Sequence, residues 1–262
     1  MADAVFPFPG GKSRLASWIL EHVPKHRCFV EVFGGAAGVL ANKDPETSTV
    51  EVYNDLDEDL VHFFRVLREQ PEELVEWLSA VPYSRAVHSE WAKAYYRGYR
   101  PKDDVKRAGQ FFYLRYTQWG GGYDSFNGFA TSKVSSRALS FSNKIERLRE
   151  FAERFDDVVL ENLHWREVVE KYDDAETVFY FDPPYVGVEG YYPASEIDHS
   201  ELVAVLGELD GYGLCSYQEL PDGVGEFEVL ARGEKNFINN GKSGSANETR
   251  EHLLLNFDRE SQ

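Results

Sequence analysis

Cysteine is scarce in this chain, and long apolar runs are absent. The 262 residues include only two cysteines, Cys28 and Cys215, which lie far apart and match no spacing of metal ligands. We therefore expect neither a disulfide framework nor a metal site. No apolar run is long enough to span a membrane, and the first residues lack the organisation of a signal peptide. These absences predict a cytoplasmic, reduced protein without membrane contact.

The chain also lacks a complete phosphate-binding loop and any internal repeat. Gly10-Gly11-Lys12 resembles half of such a loop, but the upstream glycine spacing and a preceding strand are missing. A P-loop nucleotide hydrolase is therefore disfavoured. Lys12 can instead meet a cofactor carboxylate or a DNA phosphate, and a solvated surface lysine is the alternative.

Acidic residues outnumber basic ones, but the surplus is unevenly distributed. Asp and Glu total 45 against 28 Lys and Arg, which gives a formal net charge of −17. Residues 85–149 nevertheless contain 13 basic and only five acidic residues. A basic segment on an acidic body predicts a local footprint for a polyanion such as nucleic acid, although a basic helical face without a partner would look the same. The overall acidity is also consistent with a halophilic source.

Strand and turn signals near the start follow the order of a nucleotide-binding βαβ unit. Residues 28–33 predict a buried strand, residues 34–38 form a small, glycine-rich cluster, and a helix is expected from near Val39. A second strand over 49–53 leads to Asp55. Strand, glycine-rich turn, helix, strand and acid is the order found in such units.

A long central segment interrupts this pattern. Between residues 57 and 156, apolar residues recur at helical spacing and aromatic residues are dense. Strand signals resume afterwards at 158–160, 178–181, 213–216, 227–230 and 252–257. We predict an α/β, Rossmann-like sheet from residues 1–56 and 157–262. Residues 57–156 are predicted to be an inserted, mostly helical segment, which contains the basic stretch.

The most informative motif is Asp182-Pro183-Pro184-Tyr185, which directly follows the apolar strand over 178–181. Asp182 supplies a carboxylate, and the stiff proline turn can aim the Pro183 carbonyl into the same space. Tyr185 offers a ring for stacking. Two oxygen acceptors beside an aromatic face suit the exocyclic amino group of a planar heterocycle. A plain Pro-Pro turn with a capping Asp is the alternative.

Two residues of the βαβ unit point to a nucleoside. Gly35 and its small neighbours let the backbone approach a ligand closely. Asp55 stands where an acid commonly accepts bonds from ribose hydroxyls. Tight helix–strand packing and a helix cap are the respective alternatives. Together, and without a phosphate loop, the two residues favour a cofactor that carries a nucleoside but no phosphates.

An aromatic, amide-rich loop lies within the inserted segment. It follows the apolar run at 111–114 and continues to residue 137. Such side chains can stack on bases, wedge into a duplex and read base edges, whereas an ordinary aromatic glycine turn is the alternative. The residues predicted to bind DNA are Arg115, Tyr116, Gln118, Trp119, Tyr123, Asn127, Lys133 and Arg137.

Taken in order, these segments resemble the adenine-N6 DNA methyltransferases of the Dam type, through nearly the whole chain. The matching segments are the N-terminal cofactor loop at 8–12, the turn after the first strand at 29–37, the ribose-binding acid at 53–55, the catalytic motif at 182–185, the following helix start at 198–202 and the closing strand at 251–257. Val32 stands where the family usually has proline, and Ala37 where glycine is common.

The resemblance implies the fold and the cofactor of this family. Residues 1–56 and 157–262 would form the catalytic and cofactor-binding domain, with the sheet of an S-adenosylmethionine-dependent methyltransferase. Residues 57–156 would be the inserted domain that binds DNA and recognises its target. The residues that would contact S-adenosylmethionine are Phe8, Gly11, Lys12, Glu31, Phe33, Gly35, Asp55 and Asp182.

The implied reaction is methyl transfer to adenine N6 in double-stranded DNA. The base would flip out of the duplex and stack on Tyr185, while its amino group donates to the Asp182 carboxylate and the Pro183 carbonyl. Pro184 completes the catalytic motif. A separately encoded restriction endonuclease can accompany such an enzyme.

Other substrates and an inactive relative remain open as alternatives. A methyltransferase acting on cytosine N4 or on RNA would use the same amine chemistry. A catalytically silent DNA-binding relative would keep the fold without the reaction. The recognition sequence also stays open, because residues 115–123 only loosely match the segment with which family members read GATC.

Overall fold

A single sheet forms the centre of the computed structural model, which describes residues 4–118, 128–184, 197–236 and 247–258. Its seven strands are β1 (Cys28–Glu31), β2 (Val50–Asn54), β3 (Val158–Glu161), β4 (Thr177–Phe181), β5 (Tyr212–Tyr217), β6 (Glu228–Asn236) and β7 (Asn247–Leu255). They lie in the order β3-β2-β1-β4-β5-β7-β6. Strands β1 to β5 pair in parallel, and β7 runs antiparallel to both of its neighbours.

Nine α-helices occupy the described part of the chain. They are α1 (Ala16–Leu20), α2 (Glu58–Glu69), α3 (Pro71–Ser79), α4 (Arg85–Tyr95), α5 (Asp104–Thr117), α6 (Arg137–Glu146), α7 (Leu148–Arg154), α8 (Trp165–Tyr172) and α9 (His199–Glu208). None of these helices has the length and apolarity needed to cross a membrane.

The strand order changes direction between β1 and β4. From β1 the chain continues outward to β2 and β3, whereas β4 and β5 lie on its other side. Open α/β sheets bind ligands outside the carboxyl ends of the strands at such a switch point. Here those ends lead into the glycine cluster after β1 and into Asp182 after β4. The predicted α/β, Rossmann-like fold is confirmed.

Strand β4 explains how the sheet is covered on both faces. All five of its residues are buried. Because side chains alternate along a strand, Val178 and Tyr180 join one hydrophobic cluster, and Phe179 and Phe181 join the other. A near-continuous apolar run is what a parallel strand with two covered faces requires.

Helices α2 to α7 form the connection between β2 and β3. Their core is aromatic: the rings of Phe63 and Phe112 stack with centroids 5.7 Å apart. This core continues to the sheet, because Phe64 lies 4.4 Å from the ring of Tyr53 on β2. The inserted segment is therefore helical as predicted, while its independence as a domain stays a prediction.

The helix expected from near Val39 is wrong in extent. The chain makes only one 3-10 turn there, Leu40–Asn42, and Lys43 is already extended. Pro45 explains the early end, because a proline disfavours helical backbone in the residue before it, and Asp44 is indeed extended.

Asp59, near the start of α2, joins several helices of the inserted segment. Its carboxylate accepts hydrogen bonds from Tyr95 Oη at 2.8 Å, from Arg100 Nε at 2.6 Å and from Arg107 Nη2 at 2.8 Å. Asp59 is 6% exposed. Burial raises the pKa of this carboxyl group, but Arg107, Arg100 and Tyr95 outweigh burial and hold the pKa below its usual range. The charged carboxylate therefore links α2 to α4 and α5.

Asp59→Ala should lower the free energy of unfolding by about 3 kcal/mol, because it leaves two guanidinium groups without their shared counter-charge. Glu58→Ala is the matched control: Glu58 is the neighbouring acid and also contacts Arg107, but its side chain is 74% exposed. Its loss should cost less than about 1 kcal/mol. Urea unfolding followed by tryptophan fluorescence measures both variants. Equal losses would show that Asp59 is not the link between the helices.

Candidate active site

The turn after β1 is held in place by the end of β2. Tyr53 Oη donates a hydrogen bond to the Gly35 carbonyl at 2.8 Å. The Asn54 carbonyl accepts one from Gly34 N at 2.8 Å, and Asp55 Oδ2 accepts one from Gly35 N at 2.9 Å. Three consecutive residues thus fix the backbone of the turn at the carboxyl edge of the sheet.

Two residues of this turn have left-handed backbone. The φ angle is +50° at Gly35 and +54° at Ala37. Gly35 also has no room for a side chain, since a Cβ there would lie 2.9 Å from the Phe8 ring. Ala37 stands where the resemblance expects glycine, and a left-handed conformation costs an alanine about 1–2 kcal/mol. The substitution therefore falls on one of the two positions where glycine would be favoured.

Glu31, the last residue of β1, is bonded to the chain that follows the same turn. Its Oε1 accepts a hydrogen bond from Val39 N at 3.2 Å, and its Oε2 accepts one from Leu40 N at 3.0 Å. Burial raises the pKa of Glu31 to about 8. A direct contact of Glu31 with the cofactor stays a prediction, whereas its visible role is to order the turn.

The N-terminal loop packs directly on the glycine turn. The half-buried ring of Phe8 lies over Gly35, and a Cβ on Gly38 would come within 3.1 Å of Lys12 N. Within the loop, Gly11 N donates a hydrogen bond to the Phe8 carbonyl at 3.2 Å. The missing side chains at Gly35 and Gly38 therefore allow the loop to reach the edge of the sheet.

Lys12 brings the charge of this loop into the interior. Its Nζ lies 2.8 Å from Asp182 Oδ1 and 3.5 Å from Glu251 Oε1, and it donates to the Gly10 carbonyl at 2.8 Å. Lys12 is only 5% exposed, so it is not a solvated surface lysine. Burial lowers the pKa of its ammonium group, but the two carboxylates outweigh burial and raise the pKa overall. Lys12 is therefore a buried cation shared by two acids.

Asp182 and its prolines continue from β4 at the same edge. The Asp182 side chain is 19% exposed, Pro183 is buried and Pro184 is half-buried. Phe33, which follows β1, lies beside Phe181 with the ring centroids 6.5 Å apart. The carboxylate thus stands one strand away from the glycine turn. Tyr185, the fourth residue of the motif, lies outside the described residues.

Asp55 keeps part of its capacity to accept hydrogen bonds. Besides the bond from Gly35 N, its Oδ1 accepts one from Asp57 N at 2.9 Å. A carboxylate has about four lone-pair sites, so a half-buried Asp55 can still accept hydroxyl groups of a ligand. Burial raises the pKa of Asp55 to about 7. Hydrogen bonds from a ligand would favour its charged form.

Two of the residues predicted to bind DNA lie in the interior. Arg115 is 1% exposed, and its guanidinium lies 5.3 Å from the ring of Phe111 and 5.8 Å from that of Tyr95. Gln118 is 4% exposed, and its amide donates to Tyr96 Oη at 2.9 Å. Residues 111–115 of α5 are all buried, so neither side chain faces solvent in this structure, and a direct DNA contact of Arg115 or Gln118 stays a prediction.

The other predicted DNA-binding residues differ in their surroundings. Tyr116 is half-buried, with its ring 5.0 Å from Phe112 and 5.9 Å from Phe141. Lys133 and Arg137 are exposed, just before and at the start of α6. The remaining three lie outside the described residues: Trp119, Tyr123 and Asn127.

Three polar residues that the sequence analysis did not assign to the site also support it. Asn54 Nδ2 donates to the Val32 carbonyl at 2.9 Å, and Asn162 Nδ2 donates to the Asp55 carbonyl at 2.8 Å. Glu251 is the second partner of Lys12. For Asn54 and Asn162 the available signal was a polar residue at the end of an apolar strand, which is also the signal that identified Asp55 and Asp182. Glu251 does not follow a strand and offered no such signal.

One protein family matches most of this chain. Its description is D12 class N6 adenine-specific DNA methyltransferase, and the match covers residues 8–219. The matched range includes the N-terminal loop, the glycine turn, Asp55 and the motif that begins at Asp182. It ends before Glu251.

Curated relatives carry names of the same kind. Type II methyltransferase M.MjaIII of Methanocaldococcus jannaschii is 28% identical over 205 residues, covering 67% of this chain and 66% of the relative. Type II methyltransferase M.CviBI of Paramecium bursaria Chlorella virus NC1A is 23% identical over 207 residues, covering 76% of each. The DNA adenine methylase of Escherichia coli K12 is 27% identical over 187 residues, covering 70% of this chain and 64% of the relative. The chain thus spans about two thirds to three quarters of these relatives, and a halophilic source finds no support among them.

Gly35→Ala should lower the free energy of unfolding by about 1–3 kcal/mol. The left-handed backbone strains an alanine, and the new Cβ would press on the Phe8 ring. Gly225→Ala is the matched control, because nothing lies within 4 Å of a Cβ there and its φ is not positive. Urea unfolding of both variants tests the close approach of loop and turn. A loss at Gly35 no larger than at Gly225 would contradict it.

Proposed function

The chain belongs to the D12 class of N6 adenine-specific DNA methyltransferases, and we propose that it transfers a methyl group from S-adenosylmethionine to adenine N6 in duplex DNA. The position of Asp182 carries the proposal. Its carboxylate stands at the carboxyl edge of β4, one strand from the glycine turn, where open α/β sheets bind their ligands. An acceptor for an amino group and a backbone cradle for a nucleoside are thereby neighbours.

The residues present fit the parts of S-adenosylmethionine. Asp55 has lone pairs left for ribose hydroxyls, and the turn at Gly35 has no side chain that would keep a ligand away. Phe8 and Phe33 offer half-buried rings at the same edge. Glu31 would contribute by fixing the turn, and the backbone at Gly11 and Lys12 by closing the loop over it. When bound, the cofactor supplies an electrophilic methyl group on a sulfonium.

Asp182 and the Pro183 carbonyl are proposed to act on the target amino group. The lone pair of an exocyclic amine is delocalised into its ring, so the nitrogen is a weak nucleophile. Two acceptors that take its two N–H groups draw the nitrogen towards tetrahedral geometry and localise the lone pair. Asp182 need not be a strong base, because the amine becomes acidic only as the new bond forms. Positioning and electrostatics then supply much of the acceleration.

The location of this carboxylate supports base flipping as part of the proposal. An adenine paired inside a duplex cannot bring its amino group to a half-buried acid at the edge of a sheet, so the base has to leave the stack. Tyr185 is proposed to stack on the flipped base, and Pro184 to stiffen the turn that presents both acceptors.

The inserted helices are proposed to bind the DNA backbone. Lys133 and Arg137 are exposed, and both belong to the basic stretch at 85–149. Lys and Arg contacts to phosphates weaken as salt rises. Aromatic stacking and base-edge contacts would therefore contribute the part of the DNA affinity that salt does not weaken. A cytoplasmic location and a separately encoded restriction endonuclease complete the proposal.

The purified protein, incubated with S-adenosylmethionine and unmethylated plasmid, should produce N6-methyladenine in one short sequence, detected by modification-sensitive long-read sequencing. Asp182→Ala should reduce the modification to background, because the main acceptor is lost. Asp156→Ala, an exposed acid before β3 at the opposite edge of the sheet, should methylate normally.

Other outcomes of this assay would change the proposal. Methylation at cytosine N4, or of RNA only, would replace adenine in DNA as the substrate. Binding of S-adenosylmethionine without any modified base would identify a silent DNA-binding relative. Near-normal turnover by Asp182→Ala would remove Asp182 from the chemistry.

Asp55→Ala should weaken S-adenosylmethionine binding at least about tenfold, which corresponds to about 1.4 kcal/mol, and should leave DNA affinity within about twofold. The carboxylate holds the glycine turn and is the proposed partner of the ribose. Isothermal titration with each ligand measures both effects. Asp44→Ala is the control, because Asp44 caps a 3-10 turn at the opposite edge of the sheet. Equal effects on the cofactor and on DNA would indicate general unfolding of the site.

A further inference from the structure

Glu251 is a buried acid at the catalytic edge that the reaction described above does not use. It lies on β7 and is 5% exposed. Because β7 runs antiparallel to β5, with His252 opposite Tyr217, its first half lies at the carboxyl edge of the parallel strands. Glu251 is therefore brought to the site by the one strand whose direction is reversed.

The contact between Lys12 and Asp182 creates a competition. Lys12 Nζ lies 2.8 Å from Asp182 Oδ1, and this carboxylate is the proposed acceptor of the target amino group. An ammonium group and an adenine amino group are both donors. The target base therefore has to share the Asp182 carboxylate with Lys12, or it has to displace Lys12 from that carboxylate.

Displacing Lys12 is costly unless another anion remains beside it. A buried cation without a counter-charge is much less stable than the same cation in water. Glu251 Oε1 lies 3.5 Å from Nζ, so a small movement of the ammonium group would tighten this second contact as the first is released. The Gly10 carbonyl, 2.8 Å away, is a third partner.

We propose that Glu251 is a positioning residue, which holds Lys12 while Asp182 accepts the amino group of the target base. The inference rests on the proposed function for the identity of the group that Asp182 binds. Glu251 itself touches neither substrate nor cofactor in this account and acts only through Lys12. Without the charge of Glu251, Asp182 would be the one carboxylate left of the two beside Lys12, and entry of the base would become harder.

The chain offers a matched control for this pair. Lys43 and Glu51 form a second buried lysine–glutamate pair in the same sheet, with Nζ and Oε1 3.1 Å apart and side chains 2% and 7% exposed. The Lys12–Glu251 side chains are both 6% exposed. Glu51 lies near the start of β2, at the opposite edge, and also binds Arg154. Glu51→Gln therefore removes a buried, lysine-paired carboxylate without touching the site.

The first test measures the amine reactivity of Lys12 by reductive methylation and peptide mass spectrometry. Glu251→Gln should speed the labelling of Lys12 about tenfold, the change in free amine that one pKa unit produces. The reason is that one of the two carboxylates that stabilise the charged form is gone. Glu51→Gln should leave Lys12 labelling unchanged. Unchanged labelling in Glu251→Gln would overturn the pairing.

The second test measures single-turnover methyl transfer on the target sequence found by plasmid sequencing. Glu251→Gln should be about tenfold slower than the wild-type protein, which is about 1.4 kcal/mol in the barrier, while its dissociation constant for S-adenosylmethionine stays within about twofold. Glu51→Gln should have the wild-type rate once its rate is divided by the fraction of the protein that is folded. A merely structural role for Glu251 would disturb cofactor binding as well.

The failures of the two proposals are distinguishable. A wild-type protein that methylates while Glu251→Gln keeps the full rate overturns the role of Glu251 alone. A wild-type protein that binds S-adenosylmethionine but methylates nothing overturns the proposed function, and with it the competition at Asp182. The labelling test needs no methyl transfer, so it decides on the Lys12–Glu251 pair in either case.

Discussion

The close approach of backbone segments at the glycine turn is the constraint on which the rest of the site depends. A Cβ on Gly34 would lie 2.2 Å from the Tyr53 ring, and one on Gly35 would lie 2.9 Å from Phe8. The end of β2 can bond to the turn only because these side chains are missing. The N-terminal loop can then lie over the turn, which carries Lys12 to Asp182. Segments that are far apart in the chain thus meet through contacts that glycine alone permits.

The second constraint is the balance of charge in a poorly hydrated site. Glu31, Asp55, Asp182 and Glu251 are four acids at one edge of the sheet, and Lys12 is the cation that contacts two of them, Asp182 and Glu251. Burial raises the pKa of Glu31 to about 8 and that of Asp55 to about 7. Lys12 is nevertheless outnumbered by the acids at this edge. That surplus of acids suits the sulfonium cation of the proposed cofactor.

The sequence could predict this edge of the sheet because its signals are local. Gly35, Asp55 and Asp182 each follow a strand, and the carboxyl ends of parallel strands meet at one edge. Glu251 could not be placed in the same way, since its position depends on β7 pairing antiparallel with β5, a long-range contact. The burial of Arg115 and Gln118 could not be predicted for a related reason. Their aromatic surroundings suggested a DNA-reading loop, but residues 111–115 of α5 are all buried, and so is Gln118 just after the helix.

The buried arginines also change the meaning of the basic segment at 85–149. A charge count assumes that all 13 basic residues of the segment are exposed. In the structure, however, Arg100 and Arg107 both pair with Asp59, and Arg115 is buried. Arg149 is paired with Glu72 on α3. These side chains join helices to one another instead of facing a polyanion. Fewer basic residues in the described part of the segment are exposed, and Arg147 among them pairs with Glu150. The exposed ones available to phosphates are Arg85, Lys93, Arg97, Lys102, Lys106, Lys133 and Arg137. A footprint for DNA should therefore be sought around α4, the start of α5 and the approach to α6, because charge that already holds the helices together cannot also attract DNA strongly.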